Sequence, residues 1–210
     1  MKKVIKTTIA ALAFLTTSAM FIACGESSLK DSRDGKKYKT VKIGEQVWMA
    51  ENINYAAESS ICYDNAPASC EKYGRLYNWE TAKKVCPSGW HLPMNEEWDK
   101  LYRYADGTIG IESPYYSKTA GKYLKAKNGW NDYEGKSGNG EDKFGFAALP
   151  GGNGYSDGSF LNVGNEGYWW SAEEYVAYGA YNHYMSDNNE GAYWDDYSKL
   201  TLFSVRCVQD

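Results

Sequence analysis

The side chains in this sequence that could do chemistry are its cysteines, a run of carboxylates near the C-terminus and a long series of aromatic rings. Apart from Cys24, the cysteines are Cys62, Cys70, Cys86 and Cys207, an even set that suits two disulfides in an oxidising compartment. Three connectivities are open to four cysteines. The favoured one joins Cys62 to Cys70 across a short loop containing Pro67, and Cys86 to Cys207, tying a helix end to the last strand. Zinc held by sulfur is the competing use, but no Cys-x-x-Cys pair occurs and His91 and His183 lack ligand spacing. A Cys207 thiolate served by His91 as base is a further use, and pairing of accessible thiols in an oxidising compartment outweighs it.

The carboxylates Asp187, Glu190, Asp195 and Asp196 offer the hard oxygens that calcium takes. No ligand periodicity accompanies them, so a solvated acidic loop is the stronger reading and no cofactor is expected beyond this weak calcium candidate. A glycosidase needs two acids flanking a bond. Glu173, Glu174, Asp187 and Glu190 could supply them, yet acids are too plentiful here for spacing to select a pair, and no catalytic residue stands out. The aromatics are more distinctive. Tyr155, Tyr181, Tyr184, Tyr193 and Trp194 are interleaved with Gly, Asn, Ser and Asp, the composition of rigid recognition surfaces, and their rings can stack on sugars. Trp48, Trp79, Trp90, Trp98 and Trp169 are assigned to the core, which is short of aliphatic side chains and must be filled by rings.

Lys2, Lys3 and Lys6 precede an apolar stretch from Thr7 to Ile22, the layout of a secretory signal and too short for a bilayer span of about 20 residues. The run Phe21-Ile22-Ala23-Cys24-Gly25 resembles the bacterial lipobox, with Phe21 where leucine is usual. That resemblance implies cleavage before Cys24 and a diacylglycerol thioether on its sulfur, giving a stable membrane anchor without a spanning helix. The expected organisation is a lipoprotein signal peptide over 1–23, a polar tether over 24–30 and one domain over 31–210. Such a protein is exported, and its lipid holds it to a membrane facing the periplasm or the cell surface.

Loss of those three lysines with the leader takes the formal charge from −4 to −7, and no basic run remains, so nucleic acid has no electrostatic footing. The elements that must position the aromatics read as α+β. Residues 37–49 form a hairpin turning at Gly44-Glu45 in the type II′ manner. A helix is expected over 77–85, stopped by Pro87-Ser88-Gly89, and a second follows with Asn95 as its cap and Trp98, Leu101, Tyr102 and Ala105 on one face. Beyond Asp106-Gly107 helices fade into short β-runs, at 144–149, 168–171, 180–185 and 200–208, broken by glycine turns.

Asp31-Ser32-Arg33-Asp34-Gly35-Lys36-Lys37-Tyr38, Trp48-Met49-Ala50-Glu51-Asn52 and Tyr73-Gly74-Arg75-Leu76-Tyr77-Asn78-Trp79 resemble the Fibrobacter succinogenes major paralogous domain family. So do Gly89-Trp90-His91-Leu92-Pro93, Phe144-Gly145-Phe146, Trp169-Trp170-Ser171 and Ser204-Val205-Arg206-Cys207-Val208. The resemblance runs in order from residue 31 to the end and implies a surface or secreted domain rather than a reaction. The stretch from Cys86 to Trp98 is also similar to formylglycine-generating sulfatase-modifying proteins. That likeness implies a C-type-lectin-like fold, in which a long disulfide joins a helix to the final strand. Their reactive cysteine pair has no counterpart here, so their activity is not expected. Trp194-Asp195-Asp196 superficially resembles a calcium-lectin motif, but no Glu-Pro-Asn or Gln-Pro-Asp accompanies it. The combined expectation is a lipid-anchored, non-catalytic binding or adhesion domain whose ligand is a glycan or a surface protein. A polysaccharide-active enzyme and a purely structural envelope protein are the alternatives.

Overall fold

The computed structural model describes residues 27–108 and 116–210, so the expected signal peptide over 1–23 and the expected lipidation site Cys24 lie outside the described residues. Strands β2 (Lys37–Ile43) and β3 (Gln46–Met49) form the expected hairpin, with Ile43 paired to Gln46 across a two-residue loop. Gly44 has φ +61° while Glu45 stays at negative φ, the sign pattern of a type II′ turn that matches strand twist. On the outer side of β2 lies β1 (Ser27–Lys30), with Leu29 opposite Tyr38. The tether expected over 24–30 is therefore corrected over its last four residues. Leu29 packs against the core beside Tyr38, and the fully buried carboxylate of Asp31 is gripped by Arg33 at 2.6 Å, which anchors the strand.

Two helices were expected and the described residues contain four. Helix α1 (Pro67–Tyr73) opens on proline, whose missing N–H costs nothing in a first turn, and the Cys62–Cys70 disulfide ties it to the preceding segment. Helix α2 (Trp79–Val85) starts two residues later than expected because Asn78 Oδ1 caps it by accepting from Thr81 N at 2.9 Å. Helix α3 (Asn95–Asp106) carries the expected face and ends on Gly107 at φ +77°. Asn95 is not its cap. The Glu97 carboxylate reaches back to Met94 N at 2.9 Å, and Asn95 is the first helical residue, its N–H donating to Glu173 Oε1 at 2.9 Å. Helix α4 (Ala120–Leu124), like α1, is too short to display a 3.6-residue period.

The first sheet is completed by β4 (Trp90–His91) and, later, β8 (Val208–Gln209), in the antiparallel order β1-β2-β3-β8-β4. The second sheet is β5 (Glu166–Val176), β6 (Gly179–Ser186) and β7 (Tyr193–Ser198), also antiparallel and in sequence order. Segment 202–204 runs beside the second sheet, with isolated bridges to Tyr77, Gly154 and Trp169, the last of these in β5. The architecture is α+β. The run 144–149 forms no strand, because Gly145 at φ +76° and Ala147 at φ +51° bend it, and 200–208 contributes only β8 as a strand.

Side chains alternate across a strand, and here both faces are covered. Trp48 and Val208 point into one core with Trp98, Leu101 and Tyr102 of α3, while Met49 and Cys207 point into another with Trp79, Ala82 and Val85 of α2. The second sheet follows suit, with Trp169 in the first core and Trp170 in the second. Both rings of the Trp-Trp pair are therefore buried, not only Trp169. Trp90 lies half-buried at the edge of the second core, so its assignment as a core residue is corrected: β4 is an outer strand of the sheet.

Candidate binding surfaces

The strand register of the second sheet decides which of the five candidate rings can act together. Tyr184 faces Tyr193, Asn182 faces Asp195 and Ala180 faces Tyr197, so Tyr184, Tyr193, Asp195 and Tyr197 share one side of the sheet. Ring centroids of Tyr184 and Tyr193 are 5.5 Å apart, and Tyr168, inward of them, lies 5.8 Å from Tyr184 and 4.8 Å from Phe203 in a stacked pair. Burial raises the phenol pKa values of Tyr184 and Tyr197, and the Asp195 and Glu166 carboxylates raise them further. Tyr155 adds to the effect on Tyr197 from the adjoining loop. The result is a half-exposed tyrosine surface with two acids, backed by a rigid aromatic core.

Tyr181 and Trp194 lie on the opposite side. Their rings are 5.3 Å apart and Tyr175 closes the group at 5.2 Å from Tyr181. The five residues are thus two separate aromatic groups, Tyr155, Tyr184 and Tyr193 in one, Tyr181 and Trp194 in the other. Tyr197 belongs to the first and was missed. Its signal was the i, i+2, i+4 spacing of Tyr193, Asp195 and Tyr197 on one strand.

No group of three or more metal-ligating side chains occurs among the described residues. The calcium candidates disperse. Glu190 pairs with Lys122 at 3.3 Å, and Asp195 and Asp196 are neighbours on β7, so their side chains leave opposite faces. The loop carrying Asp187 and Glu190 already contains a cation, because the buried Lys125 ammonium donates to Ser186 O at 2.8 Å and Asn189 O at 2.9 Å. Burial holds the Lys125 pKa down to about 8. The glycosidase acids are likewise engaged, Glu173 by Asn95 and Glu174 by Lys199 at 2.6 Å. Cys207 is oxidised to Cys86, and Cys62 to Cys70, which removes the nucleophile reading.

His183 is fully buried, stacked on Trp98 at 4.9 Å, with Tyr102 Oη 3.1 Å from Nδ1 and Asn95 Oδ1 3.1 Å from Nε2. Burial pushes its pKa well down. A neutral imidazole can donate from one nitrogen and accept on the other, so Tyr102 as donor and Asn95 as acceptor satisfy it completely.

A groove of about 940 Å³ lies elsewhere, along β2 and between α1 and the 142–149 segment. Lys36, Lys37, Lys39, Lys42 and Lys72 line it, with Glu51, Glu71 and Asp142. Asn52, Gly145 and Ala147 also line it, and behind them sits Arg206, fully buried. Arg206 donates to Asn52 Oδ1 and to the carbonyls of Phe146 and Ala147. Burial lowers its pKa to about 9, with Asp142 and Glu51 acting against that. Ala147, at φ +51°, is held in its left-handed conformation by Asp142 Oδ1, which accepts its N–H at 2.8 Å. The sequence reading passed over this groove, although Lys36, Lys37, Lys39 and Lys42 within seven residues of an acidic chain were a visible signal.

Comparison with known proteins finds one family, described as the Fibrobacter succinogenes major domain, matching residues 41–209. No curated protein and no solved structure matches the chain.

Proposed function

From the premise that the chain belongs to the Fibrobacter succinogenes major domain family, we propose that it is a non-catalytic, lipid-anchored binding module of the cell envelope that recognises carbohydrate. The observation that carries this reading is the tyrosine surface of β6 and β7, where Tyr184, Tyr193 and Tyr197 stand half-exposed beside Asp195 and Glu166. Planar rings on a rigid sheet supply stacking area at little entropic cost, and flanking carboxylates accept hydrogen bonds from hydroxyls.

The lipid anchor rests on the lipobox at Cys24, and the two disulfides fit an extracytoplasmic, oxidising location. A C-type-lectin-like fold is part of the same proposal, supported by the long disulfide from the end of α2 to the residue preceding β8. The test is a glycan array probed with residues 24–210. Binding that is lost in Tyr184→Ala and Tyr193→Ala supports the reading. Release of reducing ends from a bound polysaccharide would replace it with the enzyme reading, and a blank array would favour a structural role.

A further inference from the structure

Strand β1 begins at Ser27, three residues after Cys24. Three residues span at most roughly 11 Å when fully extended, at about 3.6 Å each. With a diacylglycerol on Cys24, that short reach keeps the Ser27 end of the domain close to the headgroups of the membrane. This step rests on the lipid-anchor reading above. What β1 adds is a direction, because it fixes which end of the domain is held down.

Leu29 lies opposite Tyr38, Ser28 opposite Lys39 and Ser27 opposite Thr40, so the N-terminal end of β1 points along β2 toward the turn at Gly44. That end of the domain carries a cluster of rings on the outside of the first core. Tyr104, 38% exposed, has its ring packed over Gly44 and 5.5 Å from the ring of Phe144. Phe144, Val41 and Tyr123 are partly buried and pack against the core. The exposed Lys143 places its ammonium 4.9 Å from the Tyr123 ring and 5.3 Å from that of Phe144.

We propose that Tyr104, Tyr123 and Phe144 rest on the headgroup layer of the membrane that holds Cys24, docking the domain with the β2–β3 turn toward the lipid. Tyrosines with apolar bodies and polar tips, beside a lysine whose stem covers rings while its charge stays in water, suit the membrane–water boundary. Next to the patch residues in the chain stand Lys42, Lys143, Glu45, Glu141 and Asp142, two bases and three acids, so the contact owes nothing to net positive charge. The tether makes docking intramolecular, and a patch too small to capture a free vesicle suffices.

The test is NMR of residues 24–210 coupled through the Cys24 thiol to a maleimide phospholipid in phosphatidylcholine nanodiscs, with and without a gadolinium-chelate lipid. Coupling in vitro separates this proposal from the anchor reading, which fatty-acid labelling in cells decides by itself. The expected result is paramagnetic broadening of the amides of Tyr104 and of 143–145 about threefold or more above that of α2, which covers the other face of the first sheet. The broadening should be the same at 50 and 200 mM salt, since screening acts on charge and not on ring burial. Tyr104→Ser should at least halve it, Tyr104→Trp should keep it, and Tyr178→Ser in the β5–β6 hairpin should leave it unchanged. Amide spectra of the same samples show that each variant folds. Broadening of α2 as strong as that of the patch, loss of the effect at 200 mM salt, or no response to Tyr104→Ser would overturn the proposal.

Discussion

Asn52 Oδ1 accepts from both Nε and Nη2 of Arg206, at 3.1 and 2.8 Å, across 154 residues of chain. Trp169 Nε1 donates to the same oxygen at 2.8 Å, while Asn52 Nδ2 donates to Tyr73 O at 2.8 Å. One amide thus joins the segments ending at Asn52, Tyr73, Trp169 and Arg206, in a region where an unpaired polar group is expensive.

Asn52→Ala strands three donors, one pair of them on a buried cation. The expected loss is about 2 to 4 kcal/mol, because a buried donor left unpaired costs roughly 1 to 3 kcal/mol and more on a charged group, read from urea unfolding. A loss below about 1 kcal/mol would mean that water replaces the amide at no great cost.

Trp98 is fully buried, whereas Tyr193 is half-exposed. Trp98→Ala should cost about 3 to 5 kcal/mol, and Tyr193→Ala no more than about 1 kcal/mol. Tyr184, which packs against the second core from its edge, should fall between them. Equal melting-temperature losses for Tyr193→Ala and Trp98→Ala would move Tyr193 into the core and remove the basis for a tyrosine binding surface.

The two disulfides close loops of very different length, with sequence separations of 8 and 121 residues. Chain-entropy reasoning assigns roughly 2 to 3 kcal/mol to the short loop and about 4 to 5 kcal/mol to the long one. Cys86→Ser/Cys207→Ser should therefore lower the urea midpoint more than Cys62→Ser/Cys70→Ser does. The reverse order would point to native packing around Cys62 and Cys70 as the larger contribution.

His91 is flanked by Asp210, 2.7 Å from Nδ1, and by Glu97, 2.9 Å from Nε2. Burial lowers its pKa, but the two carboxylates outweigh that and leave it raised above the ordinary 6.5. A raised folded-state pKa contributes stability that is complete below about 6.5 and lost as pH climbs through the folded value. The melting-temperature advantage of the native protein over His91→Gln should accordingly shrink between pH 5.5 and pH 8.5. An advantage that grows over that interval would show His91 acting as a neutral hydrogen-bonding group instead.

The parts of this architecture legible in the sequence are those with a local cause. The hairpin follows from a Gly-x turn between β-type runs, α3 from a full amphipathic period, and the cysteine pairing from an even count with one obvious short loop. What stayed hidden is non-local. That both faces of the sheets are covered cannot be read from β5, since Trp169 and Trp170 look alike until α2 and α3 take opposite sides. The grouping of the rings depends on the register of β6 against β7, which put Tyr181 and Trp194 on the side away from Tyr184 and Tyr193. The groove needed 36–42, 72 and 142–147 to meet, and nothing in those short segments announces their contact.

Val208 pairs with Trp48 on one side and His91 on the other, so β8 fills the gap between β3 and β4. During synthesis from the N-terminus, β3 and β4 must wait unjoined while more than a hundred intervening residues are made, and the Cys86 thiol waits with them. Closure of the first sheet and oxidation of the long disulfide are thus tied to one late event, the arrival of 207–209. In this protein the order in which residues are made constrains the order in which the sheet can close.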